Sequence, residues 1–231
     1  MIPLTDSSRR SERFPAVTLA LIVVNVIVFG LELSGGDAFV QAWSATPADI
    51  VAGRYWLTLL TAMFMHGGVM HILGNMVFFW AFAPVVEDAM GRSRFLAFYL
   101  LGGLAAFVAQ IAVDPSSTIP NLGASGAIAA VMGAFLVWYP RDRIKTLVPI
   151  GPFLTLMSVP ASLLIGIWLL TQMLNEVGAL VEMQLGGVAY VAHIGGALFG
   201  AASAALFVTP RVPNAGVTSW PPTSRFGGRH L

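Results

Sequence analysis

The stretch Asn121–Gly133, NLGASGAIAAVMG, decides how this sequence is interpreted. It places one hydroxyl, that of Ser125, at the start of an apolar helix, and its neighbours there are all small: Gly123, Ala124, Gly126 and Ala127. A membrane helix seldom carries a polar group that has no use. The same run also suits a helix-packing face, because small residues let helices approach closely. Features elsewhere in the sequence are needed to distinguish these two interpretations.

The composition is that of an integral membrane protein. Of 231 residues, 57% are hydrophobic and only 10% are charged, whereas a soluble domain carries about 25% charged residues. The net charge of +1 gives no reason to expect a nucleic-acid partner. The absence of cysteine excludes disulfides, thiolate metal sites and cysteine nucleophiles.

Six stretches are apolar enough to cross a bilayer, and a crossing needs about 20 such residues. We therefore predict an all-α polytopic membrane protein. The predicted spans are Pro15–Leu33, His71–Asp88, Arg94–Val113, Gly123–Tyr139, Phe153–Val177 and Gly187–Val208. Together they form one six-helix domain, 15–208, between a short tail, 1–14, and a tail, 209–231, whose Pro, Gly, Ser and Arg content predicts disorder. The long segment Ser34–Met70 is expected to form short helices in the outer leaflet or, alternatively, an ordinary loop.

The basic residues orient these spans, because cytoplasmic loops carry an excess of Lys and Arg. Six crossings put eleven of the twelve basic residues on one side and leave Arg54 alone on the other. Both termini are therefore predicted to be cytoplasmic. The segments Ser34–Met70, Asp114–Leu122 and Gly178–Gly186 then face outward.

This topology brings four polar side chains from three spans to one depth in the outer leaflet. His71 and Asn75 lie four residues apart, on one face of span two. Ser125 lies in the first turn of span four, and His193 lies a turn or two into span six. Serine becomes nucleophilic when a neighbouring base takes its proton, and histidine suits that role near neutral pH. We predict Ser125 as nucleophile and His193 as general base.

Acyl transfer also needs hydrogen-bond donors for the oxyanion of its tetrahedral intermediate. Suitable donors are a ring N–H of His71, the amide of Asn75 and the backbone N–H of Ser125. The small neighbours Gly123 and Gly126 leave room for a substrate backbone. No carboxylate is placed to orient His193, so we predict a Ser–His dyad and not a triad.

These polar residues also allow other interpretations. His71 with Asn75 would suit a zinc or proton-relay site, but the sequence has no HExxH motif and no third ligand at a usual spacing. We expect no metal and no other cofactor. His66 is expected to bond loop backbone near the membrane surface. The small-xxx-small pattern of Gly196 and Gly200 predicts helix packing.

Three stretches together resemble the rhomboid family of intramembrane serine proteases: HGGVMHILGNM (His66–Met76), GASGA (Gly123–Ala127) and AHIGG (Ala192–Gly196). The resemblance covers about Pro15–Val208 and implies a six-helix rhomboid-like bundle. It implies the same roles for Ser125, His193, His71 and Asn75, and a structural role for His66.

Two further features enter through this resemblance. Glu87 and Gly91, in an ExxxG pattern, are similar to a structural feature at the inner end of span two. Some bacterial members carry an aromatic residue four positions after the serine, packed against the catalytic histidine. Ala129 stands there in this chain, so another ring has to support His193, and Tyr190 is close in sequence.

The expected function is hydrolysis of peptide bonds within or beside the transmembrane segments of membrane proteins. The expected location is a bacterial cytoplasmic membrane, with the site opening to the non-cytoplasmic side. Span five carries Pro160, which weakens a helix, and is therefore either a movable gate or a static kink. The alternatives are an inactive rhomboid-like protein that binds transmembrane helices and a small transporter, although neither intramembrane charges nor repeated halves mark a transport pathway. Substrate identity and oligomeric state are left open.

Overall fold

The chain folds into a helical bundle with a small β-sheet at one end. The computed structural model describes residues 1–9, 11–182 and 190–208. In chain order its elements are β1 (Ile2–Asp6), α1 (Ala16–Trp43), α2 (Pro47–Val51), α3 (Thr58–Thr61), α4 (Val69–Met90), α5 (Arg92–Val113), α6 (Ser125–Trp138), β2 (Arg143–Ile150), β3 (Phe153–Pro160), α7 (Ala161–Glu182) and α8 (Tyr190–Phe207). A 3-10 turn, Ala62–Phe64, follows α3 directly.

Three of the described helices, α1, α4 and α5, are long and apolar enough to cross a membrane. The other apolar stretches, Ser125–Trp138, Ala161–Thr171 and Val191–Phe207, are shorter. The 14 residues of α6 rise about 21 Å, against a hydrocarbon core of about 30 Å. The protein is mostly helical, and three helices of its described part are candidate membrane spans by length and composition. The count of six crossings and the orientation of the termini stay predictions.

The expectation of an all-α fold is wrong at one end of the bundle. Strands β1, β2 and β3 form an antiparallel sheet in that order, so the segment predicted as a tail, 1–14, contributes a strand. Span five begins at Ala161 and not at Phe153. Proline has no N–H and disfavours a helix, and three prolines, Pro149, Pro152 and Pro160, lie in or between the two strands. Pro160 ends β3, so it cannot kink α7.

Helix α1 is longer than predicted. It continues past Leu33 to Trp43, with one non-helical residue, Gly36, at φ 61° and ψ −157°. Glycine tolerates such a conformation, so the chain breaks and then resumes as helix. The short helices expected within Ser34–Met70 are confirmed by α2 and α3.

Helix α6 forms the centre of the bundle, and each of its residues from Gly126 to Phe135 is buried. It packs against α8 through positions that have no room for a side chain. A Cβ on Gly196 would meet the carbonyl of Gly126, and one on Gly200 would meet the carbonyl of Ala130. The packing role predicted for Gly196 and Gly200 is confirmed.

The inner end of α4 holds the start of α1. The Glu87 carboxylate accepts hydrogen bonds from the backbone N–H groups of Val17, at 3.0 Å, and Thr18, at 2.8 Å, and from the Thr18 hydroxyl at 2.7 Å. These N–H groups belong to the first turn of α1, where no intrahelical acceptor exists. Gly91 joins α4 to α5 with φ 79°. The structural role predicted for Glu87 and Gly91 is confirmed.

The connection between α7 and α8 differs from the predicted loop Gly178–Gly186, since α7 extends to Glu182. The remainder of that loop, the predicted start of span six at Gly187 and the predicted disordered tail 209–231 lie outside the described residues.

Candidate active site

Ser125 lies at the N-terminus of α6, where the chain turns from an extended segment into the helix. The turn is made at Gly123, whose φ of +129° is unfavourable for residues that carry a Cβ. A Cβ there would also lie 3.4 Å from Ser125 Oγ. The glycine therefore leaves open space in front of the hydroxyl.

His193 reaches Ser125 from the first turns of α8. Its Nε2 lies 2.6 Å from Ser125 Oγ, within the range of an O–H···N hydrogen bond. The imidazole is buried, with 5% of the residue exposed. Two residues 68 positions apart in the sequence thus form a hydroxyl–imidazole pair, in which the imidazole is buried and the serine is half-buried.

The ring that packs against His193 comes from α7. The centroids of Trp168 and His193 lie 5.3 Å apart with an interplanar angle of 43°. Ala129 cannot supply this ring, and the sequence neighbour suggested in its place, Tyr190, has a side chain outside the described part of the structure. The available signal was that Trp168 is the single aromatic residue of α7.

The start of α8 is fixed by a polar contact from α5. The backbone N–H of Ala192 donates to Gln110 Oε1 at 3.2 Å. This group belongs to the first turn of α8 and therefore has no acceptor within its own helix. Gly126 lets α5 approach from the same side, since a Cβ on it would lie 2.5 Å from Ala106 Cβ. Gln110 is not among the residues predicted from the sequence.

His71 and Asn75 lie in the first two turns of α4, and both line the cavity that Ser125 and His193 also line. The N–H of Gly67 donates to His71 Nδ1 at 3.3 Å, so the neutral ring carries its proton on Nε2. That Nε2 would lie 3.1 Å from a Cβ on Gly123, beside the serine. Asn75 is 8% exposed, and its Nδ2 is buried with no hydrogen-bond partner among the described residues.

These side chains line one cavity of about 380 Å³ between α4, α6, α7 and α8. Its polar groups are those of His71, Asn75, Ser125 and His193. The remaining walls are apolar or backbone: Gly67, Met70, Gly74, Phe78, Ile128, Met132 and Trp168. The structure therefore brings the four polar residues predicted from the sequence to one pocket.

His66 lies behind this pocket and not in it. Its ring is buried at 2% exposure and meets the His71 ring edge-on, with centroids 5.2 Å apart. Burial lowers the pKa of His66 to about 4, and the neighbouring His71 acts in the same direction. His66 is therefore neutral at physiological pH and serves as a packing partner for His71.

A second contact at His66 was not predicted. Its backbone N–H donates to both oxygens of the Glu32 carboxylate, at 2.9 and 3.1 Å. Glu32 lies within α1 and is buried at 5% exposure. The signal in the sequence was a carboxylate in an apolar span, which is rare without a partner. Glu32 thus connects α1 to the turn that precedes His71.

A family model described as the Rhomboid domain matches residues 53–210. The chain belongs to the rhomboid family. This rhomboid is 32% identical to "Rhomboid protease GluP" of Bacillus subtilis over 59% of its own length and 27% of that protein. It is 27% identical to "Rhomboid protein 1, mitochondrial" of Saccharomyces cerevisiae over 78% of its length and 50% of that protein.

A third relative is "Presenilin-associated rhomboid-like protein, mitochondrial" of Homo sapiens, 28% identical over 78% of this chain and 45% of that protein. The rhomboid thus spans half or less of the length of these curated relatives. Family membership and the apolar helices make it a membrane-spanning protein. Mitochondrial proteins occur among its relatives, so the bacterial cytoplasmic membrane stays a prediction.

Proposed function

We propose that this rhomboid is an intramembrane serine endopeptidase that hydrolyses peptide bonds within or next to transmembrane segments of membrane proteins. The observation that carries the proposal is the 2.6 Å contact between Ser125 Oγ and His193 Nε2 at the wall of a cavity. A relative named as a rhomboid protease supports it. The reaction needs no metal or cofactor.

In the first step, Ser125 Oγ attacks the carbonyl carbon of the scissile bond while His193 Nε2 takes the hydroxyl proton. A serine hydroxyl is a weak nucleophile unless a base accepts its proton in this way. Trp168 limits the freedom of the His193 ring, so the nitrogen stays directed at the hydroxyl. We propose a dyad, since two buried carboxylates of the described residues are engaged elsewhere: Glu32 accepts from the backbone N–H of His66, and Glu87 accepts from the start of α1.

The negative charge of the tetrahedral intermediate develops on the former carbonyl oxygen. The proposed donors for that oxygen are Asn75 Nδ2, His71 Nε2–H and the backbone N–H of Ser125, since all three residues line the cavity. The last belongs to the first turn of α6 and has no intrahelical acceptor. Donors preorganised in a poorly hydrated site stabilise such charge strongly.

The intermediate then collapses, and His193 donates its proton to the leaving amine. This gives an acyl-enzyme at Ser125. A water activated by His193 hydrolyses the ester and regenerates the serine. The cavity has to admit water from one side and a peptide backbone from the other.

The proposed topology provides both routes. Six crossings with cytoplasmic termini place the first turn of α6 in the outer leaflet, so the cavity opens to the non-cytoplasmic side. A substrate helix approaches from the lipid between α4 and α7, where Phe78 and Trp168 stand with ring centroids 6.2 Å apart. Substrates with small or helix-breaking residues near this depth unwind at lower cost.

Pro160 lies outside α7, so a movable gate at α7 could not use a proline kink. It would instead open at the contact between Phe78 and Trp168. Cysteines introduced at the outer ends of α4 and α7 and fully cross-linked should abolish cleavage of a transmembrane substrate. Unchanged cleavage after full cross-linking would remove the gate. The native chain contains no cysteine, so the cross-link is unambiguous.

The proposed activity is tested with purified protein and a labelled single-span substrate in detergent. Wild type, Ser125→Ala, His193→Ala and the control Ser203→Ala are compared. The Ser203 hydroxyl donates to the carbonyl of Phe199 in its own helix. Cleavage by wild type and Ser203→Ala alone is expected. Equal cleavage by all four proteins would contradict the proposal. A wild type that neither cleaves a panel of substrates nor reacts with a fluorophosphonate would also contradict it and would favour an inactive helix-binding protein.

A further inference from the structure

The hairpin formed by β2 and β3 changes character along its length. Near its base, Ile144 and Thr146 are fully buried while Arg143 and Lys145 between them are exposed. Toward the tip the buried positions cease. The exposed apolar side chains of the distal half are Ile150 (53%), Phe153 (72%), Leu154 (65%), Leu156 (57%) and Met157 (43%).

Both faces of the distal half are apolar. Successive side chains of a strand point to opposite faces, so Phe153 and Met157 lie on one face while Leu154 and Leu156 lie on the other. A sheet that covers a protein core is apolar on one face only. In water this surface would promote aggregation, and β3 also leaves its outer edge unpaired within the described sheet.

We propose that this hairpin is a membrane-interface anchor whose tip inserts among the lipids of the cytoplasmic leaflet. The protein spans a membrane, and the hairpin directly connects α6 to α7, so its base lies at the ends of two proposed spans and its tip is within reach of the bilayer surface. Arg141 and Lys145 are exposed at its base and complement anionic headgroups, each such charge contributing attraction near the surface. Acyl chains would therefore cover the apolar tip, and anionic headgroups would pair with the positively charged residues near α6 and α7.

Hydrogen bonding limits how deep the hairpin lies. The outer edge of β3 has backbone N–H and C=O groups without strand partners, and hydrocarbon cannot satisfy them. The headgroup region still contains water. The hairpin consequently lies at the boundary of headgroups and acyl chains, with the segment 150–154 inserted about 5–10 Å, as interfacial segments are.

This placement also fixes the inner end of α7. The N–H of Ala161 donates to the carbonyl of Asp142 at 2.7 Å, and Pro160 joins the hairpin to the helix without a linker. The register of β2 with β3, from Arg143 opposite Pro160 to Ile150 opposite Phe153, has no slip that would decouple the tip from the base.

The test uses single cysteines in the cysteine-free native chain, carrying a nitroxide spin label, in nanodiscs containing anionic phosphatidylglycerol. Labels at Phe153→Cys and Leu154→Cys sample the two faces, and Lys145→Cys is the matched control at the base of the same hairpin. Collision with oxygen, which dissolves in lipid, is compared with collision with a water-soluble nickel chelate. The ratio of oxygen to nickel accessibility should be several-fold higher at 153 and 154 than at 145.

Equal ratios at all three positions would overturn the anchor and place the hairpin in water. Exclusion of both reagents at 153 and 154 would also overturn it, because protein, such as a second copy pairing along β3, would then cover the tip. The inference rests on the proposed topology and not on proteolysis, so the labels can be read in a Ser125→Ala background. Reaction of Lys145→Cys with a membrane-impermeant thiol reagent from the cytoplasmic side tests that topology separately.

Discussion

Replacing Asn75 by alanine should remove most of the catalytic rate and almost none of the stability. In the resting protein Nδ2 of Asn75 has no hydrogen-bond partner among the described residues, although it is buried. Truncation therefore breaks no Nδ2 bond that holds the fold, and it enlarges a cavity that is already present. The donor would be used only when the oxyanion forms.

Loss of one oxyanion donor costs about 2.7–4 kcal/mol of transition-state stabilisation, which corresponds to a rate reduction of about 10²–10³. For Asn75→Ala we therefore expect kcat to fall by that factor while KM changes by less than about threefold. A loss of this kind marks an interaction made only in the transition state. A fluorogenic single-span substrate in detergent gives both constants, and thermal unfolding gives the stability.

Asn25→Ala is the matched control. Asn25 is also buried, but its Nδ2 donates to the Leu21 carbonyl at 2.7 Å within α1, away from the cavity. This variant should lower the unfolding temperature and leave kcat within about threefold. The reasoning about Asn75 would be refuted if Asn75→Ala kept kcat within threefold, or if its activity fell only in proportion to the folded fraction.

Three further predictions follow from other contacts. Trp168→Ala should lower kcat about 2–10-fold, because an aromatic contact contributes about 0.5–1.5 kcal/mol to holding His193; Trp168→Phe should recover part of the loss, whereas equal kcat values for wild type and both variants would contradict the role. Glu87→Gln should destabilise the protein by about 1.5–3 kcal/mol, since hydrogen bonds to a charged group are lost. The exposed control Glu12→Gln should leave thermal unfolding unchanged, and similar unfolding temperatures for the two variants would argue against the Glu87 contact. Gly133→Ala should destabilise the protein by about 1–3 kcal/mol through overpacking, because the new Cβ would meet the carbonyl of Ala197. Gly166→Ala, whose Cβ would have nothing within 4 Å, should be neutral or stabilising, and urea or thermal unfolding that ranks the two variants in the opposite order would refute this packing.

The convergence of the site residues could be predicted because the membrane simplifies the geometry. Once the spans alternate in direction, each residue has a depth, and Ser125, His193 and the His71 turn share one. The depth of a residue in the membrane can be predicted without knowing which helices are neighbours. The structure adds what depth alone leaves open, namely the 2.6 Å approach of Ser125 to His193.

The hairpin could not be predicted by counting apolar residues. The run from Ile144 to Val159 is as hydrophobic as a span, and a short apolar strand cannot be distinguished from a helix by hydrophobicity alone. The decisive signals were Pro149 and the Gly151-Pro152 turn, which favour two strands joined by a tight connection. Pairing with β1 required a long-range contact that no local pattern encodes.

The residues that hold the site residues in place also could not be predicted from the sequence. The sequence indicates that Ala129 cannot supply a ring to His193, yet the replacement, Trp168, comes from a different helix through tertiary packing. Glu32 was likewise visible as a carboxylate in an apolar span. Its partner, the backbone N–H of His66, carries no side-chain signature that could have identified it.

The central claim, that Ser125 is a nucleophile activated by His193, is tested most directly by the rate and site of reaction with a fluorophosphonate. Peptide mass spectrometry of the folded protein should find the adduct on Ser125 alone. Ser203→Ala should react at the wild-type rate, and His193→Ala should react at least about 100-fold more slowly. An adduct on another residue, or an undiminished rate in His193→Ala, would contradict the account.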